Sequence, residues 1–170
     1  MGRVENLQGA FALTVADRLR GVGAGRGMSA SEQGALVTLH AHPDRPAAWL
    51  GDVLGLTSSG VTRLVDRLVA RGWVTRTPGT DARQRRLRLT APGTRQAKTL
   101  VRERDAVLSE ALAVLSARER ADLERLLDTL VGALATEAVP ALQTCRLCDR
   151  DACWSAGEAC PLAHTVPADD

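Results

Sequence analysis

Residues 50–90 read LGDVLGLTSSGVTRLVDRLVARGWVTRTPGTDARQRRLRLT, and this stretch decides the fold of the chain. A short helix ends at Leu54, Gly55 permits a tight turn, and Thr57 is a favoured N-cap for a second helix that Gly72 ends. The segments WVTRT and RRLRLT then alternate apolar and polar residues, as half-buried strands do, and PGTDARQ is the loop between them. This order predicts a helix-turn-helix followed by a β-hairpin wing.

Further helices are predicted before this stretch. In residues 4–22 apolar residues recur every three or four positions, as they do on one face of a helix. Ser29 and Glu32 have the spacing of a capping box that begins the next helix. That helix ends before Pro43, because the residue preceding a proline disfavours helical geometry. Pro46 suits the first turn of the short helix that follows.

Two long helices are predicted after the wing. Thr90 caps the first of them, which carries apolar residues as far as Leu115. Ser116 and Glu119 form a second capping box, and the helix that they begin ends near Pro140. Like the first helix of the chain, both have more apolar surface than the winged unit can cover. We therefore expect them to bury it in a dimer.

The predicted fold class is mostly α with a small β-wing (α+β), a winged helix-turn-helix with long flanking dimerisation helices. We divide the chain into an N-terminal dimerisation helix (1–28), a DNA-binding lobe (29–99), C-terminal dimerisation helices (100–142) and a Cys-rich metal or redox tail (143–170). From Cys145 onward no helical period is visible, so we expect the tail to be irregular.

The 170-residue chain has a net charge of only +2, but the charge is unevenly distributed. Residues 57–95 contain nine Arg against Asp66 and Asp81, a net of +7, so the remainder carries −5. A basic block in an otherwise acidic chain is expected of a phosphate-binding surface.

Several classes of protein are not expected. No apolar run approaches the ~18 residues of a membrane span, and the N-terminus lacks the apolar stretch of a signal peptide. We therefore expect a cytoplasmic protein with no membrane partner. The chain has no phosphate-binding loop, no Ser/His/Asp set and no paired carboxylates in a pocket-like context, so we do not expect an enzyme.

The expected partner is double-stranded DNA. The first turns of a recognition helix meet base edges in the major groove. In this chain those positions are Ser58, Ser59, Thr62 and Arg63. Arg67 lies further along the same helix and is expected at a phosphate or an acidic neighbour. In the wing, Arg83, Arg85 and Arg86 have the reach to enter a narrow minor groove, where the potential is strongly negative.

The segment LTSSGVTRLVDRLVARGWVTR, the pair Asp81 and Arg83, and RLRLTAPG come in an order and at a spacing that resemble the MarR family of bacterial regulators. The resemblance is strong over residues 29–93, and the flanking helices match in position and character. It implies a homodimer on a pseudo-palindromic operator, with a small-molecule, metal or oxidant effector. It also implies that Asp81 orients the wing, that Arg83 inserts in the minor groove, and that residues 58–63 read the major groove.

The four cysteines lie within 16 residues and have the spacing C-x2-C-x4-C-x6-C-P. They are Cys145, Cys148, Cys153 and Cys160. Four thiolates can close a tetrahedral zinc site, which is our first prediction. An iron–sulfur cluster also takes four cysteines, and thiols without a metal can be redox-active. His164 follows closely enough to replace one cysteine. Whether the tail senses a signal or only pins itself to the dimer helices stays open.

Together these features predict a MarR-type transcriptional regulator, specifically a repressor, with metal or redox sensing through the cysteine tail. The alternatives are a winged-helix adaptor that binds protein, or an iron–sulfur redox protein, with the tail as a purely structural zinc clip. Salt dependence separates DNA binding from protein binding, since phosphate contacts release counterions.

Overall fold

The structure is a computed structural model that describes residues 2–79, 85–155 and 160–165. Within this part of the chain the elements are α1 Arg3–Gly21, α2 Ala30–Ala41, β1 Arg45–Pro46, α3 Ala47–Leu54, α4 Ser58–Ala70, β2 Val74–Pro78, β3 Arg85–Leu89, α5 Ala91–Ala111, α6 Ala117–Gly132, α7 Ala138–Cys145 and α8 Arg150–Ser155, with short 3-10 turns at Ala24–Arg26 and Ala163–Thr165. None of the described helices is long and apolar enough to cross a membrane.

The predicted fold class is confirmed, since helices surround one small antiparallel sheet. β2 and β3 form the predicted hairpin, with Val74 opposite Leu89 and Pro78 opposite Arg85. The sheet has a third strand, β1, which pairs with the other edge of β3 in the order β1-β3-β2. β1 was not predicted, because two residues are too few to show an alternation of apolar and polar side chains.

The winged lobe, which we define as α2, α3, α4, the three strands and the N-terminal half of α5, encloses the main core. α4 contributes one buried face at the predicted helical spacing. That face consists of Val61, Leu64, Val65 and Leu68. Leu36 of α2, Leu87 of β3 and Leu100 of α5 complete the core and are at most 1% exposed. One face of α4 is therefore packed against the core, and its opposite face is exposed to solvent.

The predicted helix starts are confirmed. Both capping boxes are present, at Ser29 with Glu32 and at Ser116 with Glu119. Thr57 and Thr90 accept hydrogen bonds from the amides of the third residues after them, as N-caps do. The left-handed turns also fall where predicted, with φ of 62° at Gly55 and 67° at Gly72.

Some predicted boundaries are wrong. Pro46 is the N-cap of α3 and a residue of β1, so it lies just before the first turn, although the helix itself spans the predicted segment AAWLGDVL. α5 ends at Ala111 instead of continuing to Leu115. α6 ends at Gly132, and Pro140 lies in the first turn of the separate helix α7, where its missing amide has no consequence.

The tail from Cys145 onward is not wholly irregular as predicted, because it contains helix α8 from Arg150 and a 3-10 turn at Ala163–Thr165. A six-residue helix such as α8 is too short to show a helical period. α7 packs against α3 of the winged lobe. The predicted division of the chain stays a prediction, although α5 runs unbroken across the boundary drawn between residues 99 and 100.

Helices α1 and α6 expose apolar faces. On α1, Val4, Leu7 and Phe11 are more than half exposed. On α6, Leu126 and Leu130 are also more than half exposed. A stripe of large apolar residues on a helix normally lies against another helix. In the described part of a single chain these faces remain uncovered.

Candidate nucleic-acid interface and cysteine cavity

The exposed face of α4 carries the side chains predicted to read DNA. Ser58, Ser59, Thr62 and Arg63 are all exposed. Thr57 caps the helix by accepting from the Gly60 amide at 3.2 Å, and the Thr62 hydroxyl donates to the Ser58 carbonyl at 2.8 Å. Within the described part of the chain, Arg63 has no hydrogen-bond or ion-pair partner. The first turns of α4 therefore present hydroxyls and an unengaged guanidinium to solvent.

Arg67 occupies a different environment from Arg63. Its guanidinium lies 3.8 Å from the Glu32 carboxylate, and that of Arg71 lies 3.7 Å from the same oxygen. The Glu32 side chain is only 4% exposed and also caps α2. A buried carboxylate needs a nearby positive charge, so the two arginines stabilise α2 in addition to their place on the exposed face. Of the two contacts expected for Arg67, a phosphate or an acidic neighbour, the structure contains the acidic neighbour, Glu32.

In the wing, Asp81 and Arg83 lie outside the described residues. Arg85 begins β3 and is exposed, and its guanidinium has no hydrogen-bond or ion-pair partner among the residues that the structure describes. Arg86 is half-buried and donates to the Asp44 carbonyl at 2.8 Å. Of the two described arginines that were predicted to enter the minor groove, Arg85 is the one whose guanidinium is free to reach outward.

Asp44 is a residue that the sequence reasoning missed. It adopts a φ of 61°, in the left-handed region. Its carboxylate accepts two hydrogen bonds from Arg88, at 2.9 and 2.5 Å. This hydrogen-bonded pair holds the pKa of Asp44 below its usual range. The loop before β1 is thereby fixed to β3. The only sign of this turn in the local sequence was the aspartate itself, since aspartate tolerates a left-handed conformation in a short link.

A second site lies on another side of the winged lobe. All four cysteine side chains line one cavity of about 240 Å³. The opposite wall comes from α2 and α3, and includes Thr38, His42 and Trp49. The cysteines were predicted to form one cluster, and they do share this one cavity between the tail and the lobe.

Within the cavity the thiols lie close enough to alter one another's pKa. The interaction between Cys145 and Cys148 raises the pKa of the Cys145 thiol and lowers that of Cys148, which the nearby guanidiniums of Arg104 and Arg146 lower further. Burial raises the pKa of Cys153. The described residues contain no set of three or more His, Cys, Asp or Glu side chains already grouped to hold a metal ion.

The two histidines near the cavity, His164 and His42, lie in different surroundings. Nδ1 of His164 lies 3.0 Å from the Pro161 carbonyl and Nε2 lies 3.2 Å from that of Ala135, so both ring nitrogens face backbone oxygens. His164 is thus not directed at the thiols. Burial, with Arg150 and Arg45 nearby, lowers the pKa of His42 to about 4. His42 is therefore neutral at pH 7.

The helix pair α3 and α4, the following hairpin and the exposed polar face of α4 define a winged helix-turn-helix protein. Residues 26–84 match the sequence model of the MarR family. The match covers about a third of the chain and most of the winged lobe, so in this part the chain is similar to the MarR family of transcriptional regulators.

Solved structures agree with this assignment. A MarR family protein from Bacillus stearothermophilus is 28% identical over 75% of this chain and 89% of its own, with a TM-score of 0.67. A mutant of MarR from E. coli is 24% identical over 77% and 98%, with a TM-score of 0.66. The YusO protein from Bacillus subtilis is 20% identical over 76% and 93%, with a TM-score of 0.67. These last two support the fold. No curated protein sequence matches the chain significantly.

Proposed function

We propose that two copies of this chain bind a pseudo-palindromic operator in double-stranded DNA and repress transcription from it. The observation that carries the proposal is the exposed polar face at the start of α4. A helix fits the major groove with its N-terminal residues at the base edges. Ser58, Ser59 and Thr62 can donate to bases or phosphates, and Arg63 can bind a guanine through two hydrogen bonds.

The distribution of ion pairs narrows the set of DNA-binding arginines. Arg67 and Arg76 lie against carboxylates of the protein, at 3.8 Å and 2.5 Å respectively. Arg86 donates to a backbone carbonyl. Arg63 and Arg85 have no such partner in the described residues, so their charge is available to DNA. We propose Arg63 as the main base contact and Arg85, with Arg83 and Asp81 of the wing, as the minor-groove contact.

The exposed apolar faces of α1 and α6 support the homodimer. A second copy is the partner that can cover both faces with matching apolar faces related by a twofold axis. Two winged lobes related in this way would meet two half-sites of a palindrome, whose spacing mirrors that of the recognition helices.

The DNA assignment is tested by Arg63→Ala, with Arg118→Ala as the matched control. Arg118 is exposed on α6, outside the basic block. Duplexes selected by the protein from a random library supply the probe. Arg63→Ala should relax the preference at one base position by about 1–3 kcal/mol, whereas Arg118→Ala should leave affinity and preference unchanged. Equal behaviour of the two variants would contradict the placement of α4 in the major groove.

The same titrations over a salt series separate DNA from a protein partner. Binding through phosphates gives a steep linear fall of log affinity with log salt, because counterions are released. A shallow slope, or no selected duplex at all, would overturn the proposed operator binding. A reporter gene under the selected duplex then tests repression, since a repressor lowers expression and an activator raises it.

The dimer is tested by Leu7→Glu on α1, with Leu13→Glu as the control on the opposite side of the same helix. Leu7 belongs to the apolar stripe with Val4 and Phe11, and both leucines are more than half exposed. A carboxylate in an apolar interface is strongly unfavourable. Sedimentation should show monomers for Leu7→Glu at concentrations where Leu13→Glu stays dimeric. Dimers of equal strength in both variants would place the interface elsewhere.

A further inference from the structure

The cysteine tail, which we define as α7, α8 and residues 160–165, has too small a core to hold itself in place. Its buried apolar side chains are Ala141 and Leu162, which pack with Ala135 from the link before α7 and with the partly buried Cys145 and Cys160. Two alanines and one leucine bury little area compared with the conformational entropy of ordering such a segment. Small units of this kind usually need a metal or a covalent crosslink.

We propose that Cys145, Cys148, Cys153 and Cys160 bind one zinc ion per chain in the cavity between the tail and the winged lobe. Nothing in the fold of the winged lobe requires this site, and these are the only cysteines of the chain. Four thiolates are a complete tetrahedral ligand set for a structural zinc ion.

The placement of the cysteines in the tail suits such a set. Cys145 ends α7, Cys148 follows in a turn whose amide donates to the Cys145 carbonyl at 2.9 Å, and Cys153 lies on α8. Cys160 precedes the final 3-10 turn. Four separate pieces of backbone thus each supply one thiol to a single cavity. Because no three of the described ligand side chains are already grouped around one point, the thiols must move towards one another to surround an ion.

The charge of the site can be balanced. Zinc displaces four thiol protons, so the bound site carries a charge of two minus, and four protons go to solvent. The guanidiniums of Arg104, on α5, and Arg146 act electrostatically on Cys148. These two positive charges offset the charge of a tetrathiolate zinc site, which would otherwise be unfavourable in a half-buried cavity.

The site would act on the DNA-binding lobe through two hydrogen bonds. Gln143, two residues before Cys145, donates from Nε2 to the Asp52 carbonyl of α3 at 2.9 Å. Thr38 of α2 donates to the Arg146 carbonyl at 3.2 Å. Drawing the four thiols around an ion would move the backbone at both contacts, and α3 is the helix that precedes α4. This coupling rests on the proposed DNA-binding function, whereas the zinc site itself does not.

The first arm of the test measures metal. Full-length protein purified without oxygen is assayed for zinc, iron, acid-labile sulfide and free thiols, and Co²⁺ is used as a spectroscopic replacement. We expect one zinc per chain and the intense visible absorption of tetrahedral thiolate-bound Co²⁺. Cys153→Ser should lose tight binding. His164→Gln should keep it, because the ring nitrogens of His164 face carbonyl oxygens.

Three results would overturn the zinc site. They are four free thiols with no bound metal, two disulfides in place of thiols, and matched iron and sulfide in a brown protein. Loss of zinc in His164→Gln but not in Cys153→Ser would overturn the ligand set. Each result is read without DNA, so a failure of operator binding leaves the metal result intact.

The second arm measures coupling. Zinc is removed from the wild-type protein with a chelator, and its affinity for the selected duplex is compared before removal, after removal and after zinc is restored. We expect a reversible change of at least about fivefold, the low end of coupling between two sites. An affinity that does not change with zinc would overturn the coupling. Cys153→Ser should match the stripped protein and should not respond to zinc.

Discussion

The winged lobe and the cysteine tail are held in place by different means. The lobe packs many buried side chains from its helices and from β2 and β3, with Leu36, Leu50 and Leu68 at 0% exposure. The buried apolar cluster of the tail has three members, two of them alanines. The tail is attached to the lobe by two hydrogen bonds from side chains to backbone carbonyls, by Leu147 packed against the lobe core, and by the walls of a shared cavity. Burial therefore fixes the lobe that carries the proposed DNA-binding helix, and a few specific contacts position the tail.

The largest expected effect is in the lobe. Leu68→Ala removes a completely buried side chain from the inner face of α4 and should lower the free energy of unfolding by about 2–5 kcal/mol. Denaturant titration measures this loss. Val114→Ala is the control, since Val114 is 87% exposed and should change stability by less than about 0.5 kcal/mol. Similar losses in the two variants would mean that the lobe core does not dominate stability.

A smaller and local effect is expected in the tail. Leu162→Ala removes the largest buried side chain of the tail cluster. It should lower the free energy needed to open the tail locally by up to about 2 kcal/mol. Hydrogen exchange should show faster exchange in α7 and in residues 160–165, with little change in α4. Uniform loss of protection across both regions would contradict the separation of lobe and tail.

The smallest expected effect concerns pH and the boundary between the two regions. His42 lies in the cavity wall, and its pKa falls from 6.5 to about 4 on folding because of burial, Arg150 and Arg45. In the unfolded chain His42 binds a proton below pH 6.5, whereas in the folded chain it stays neutral down to about pH 4. The free energy of unfolding is therefore highest above pH 6.5, and part of it is lost as the pH falls towards 4.

Since His42 is only about half-buried, the loss should be about 1 kcal/mol. Stability of His42→Gln and of the exposed control His40→Gln, measured from pH 7 to pH 4, checks this. The acid-induced loss should shrink in His42→Gln only. If both variants follow the wild-type curve, the cavity wall does not hold His42 neutral.

The sequence determined the elements of the winged lobe because their signals are local. The buried face of α4 follows from apolar residues at helical spacing, and its start follows from the Thr57 side chain. The two strands of the wing follow from alternation, and the capping boxes at Ser29 and Ser116 need only the residues three positions away. The choice of Ser58 to Arg63 as the outward face is also local, since it is the side opposite the buried stripe.

The tertiary structure decided which charged groups are available. Nothing near Arg67 in the sequence indicates that Glu32 lies 3.8 Å away, and nothing near Arg86 indicates the Asp44 carbonyl. Such pairs join residues about 35 to 42 positions apart, and no periodicity encodes a contact of that range. The distinction between Arg85, which is free among the described residues, and Arg86, which is engaged, therefore came only from the fold.

Two features of the close packing also depend on contacts between distant segments, which the local sequence does not encode. Gly93 stands in the first turns of α5, where a Cβ would lie 2.0 Å from the Trp73 carbonyl oxygen, so only glycine fits against the end of the wing. The four cysteines were recognisable as a set from their spacing alone. That they face α2 and α3 across one cavity was settled by the packing of α7 on α3, because a contact between distant segments depends on how whole elements pack.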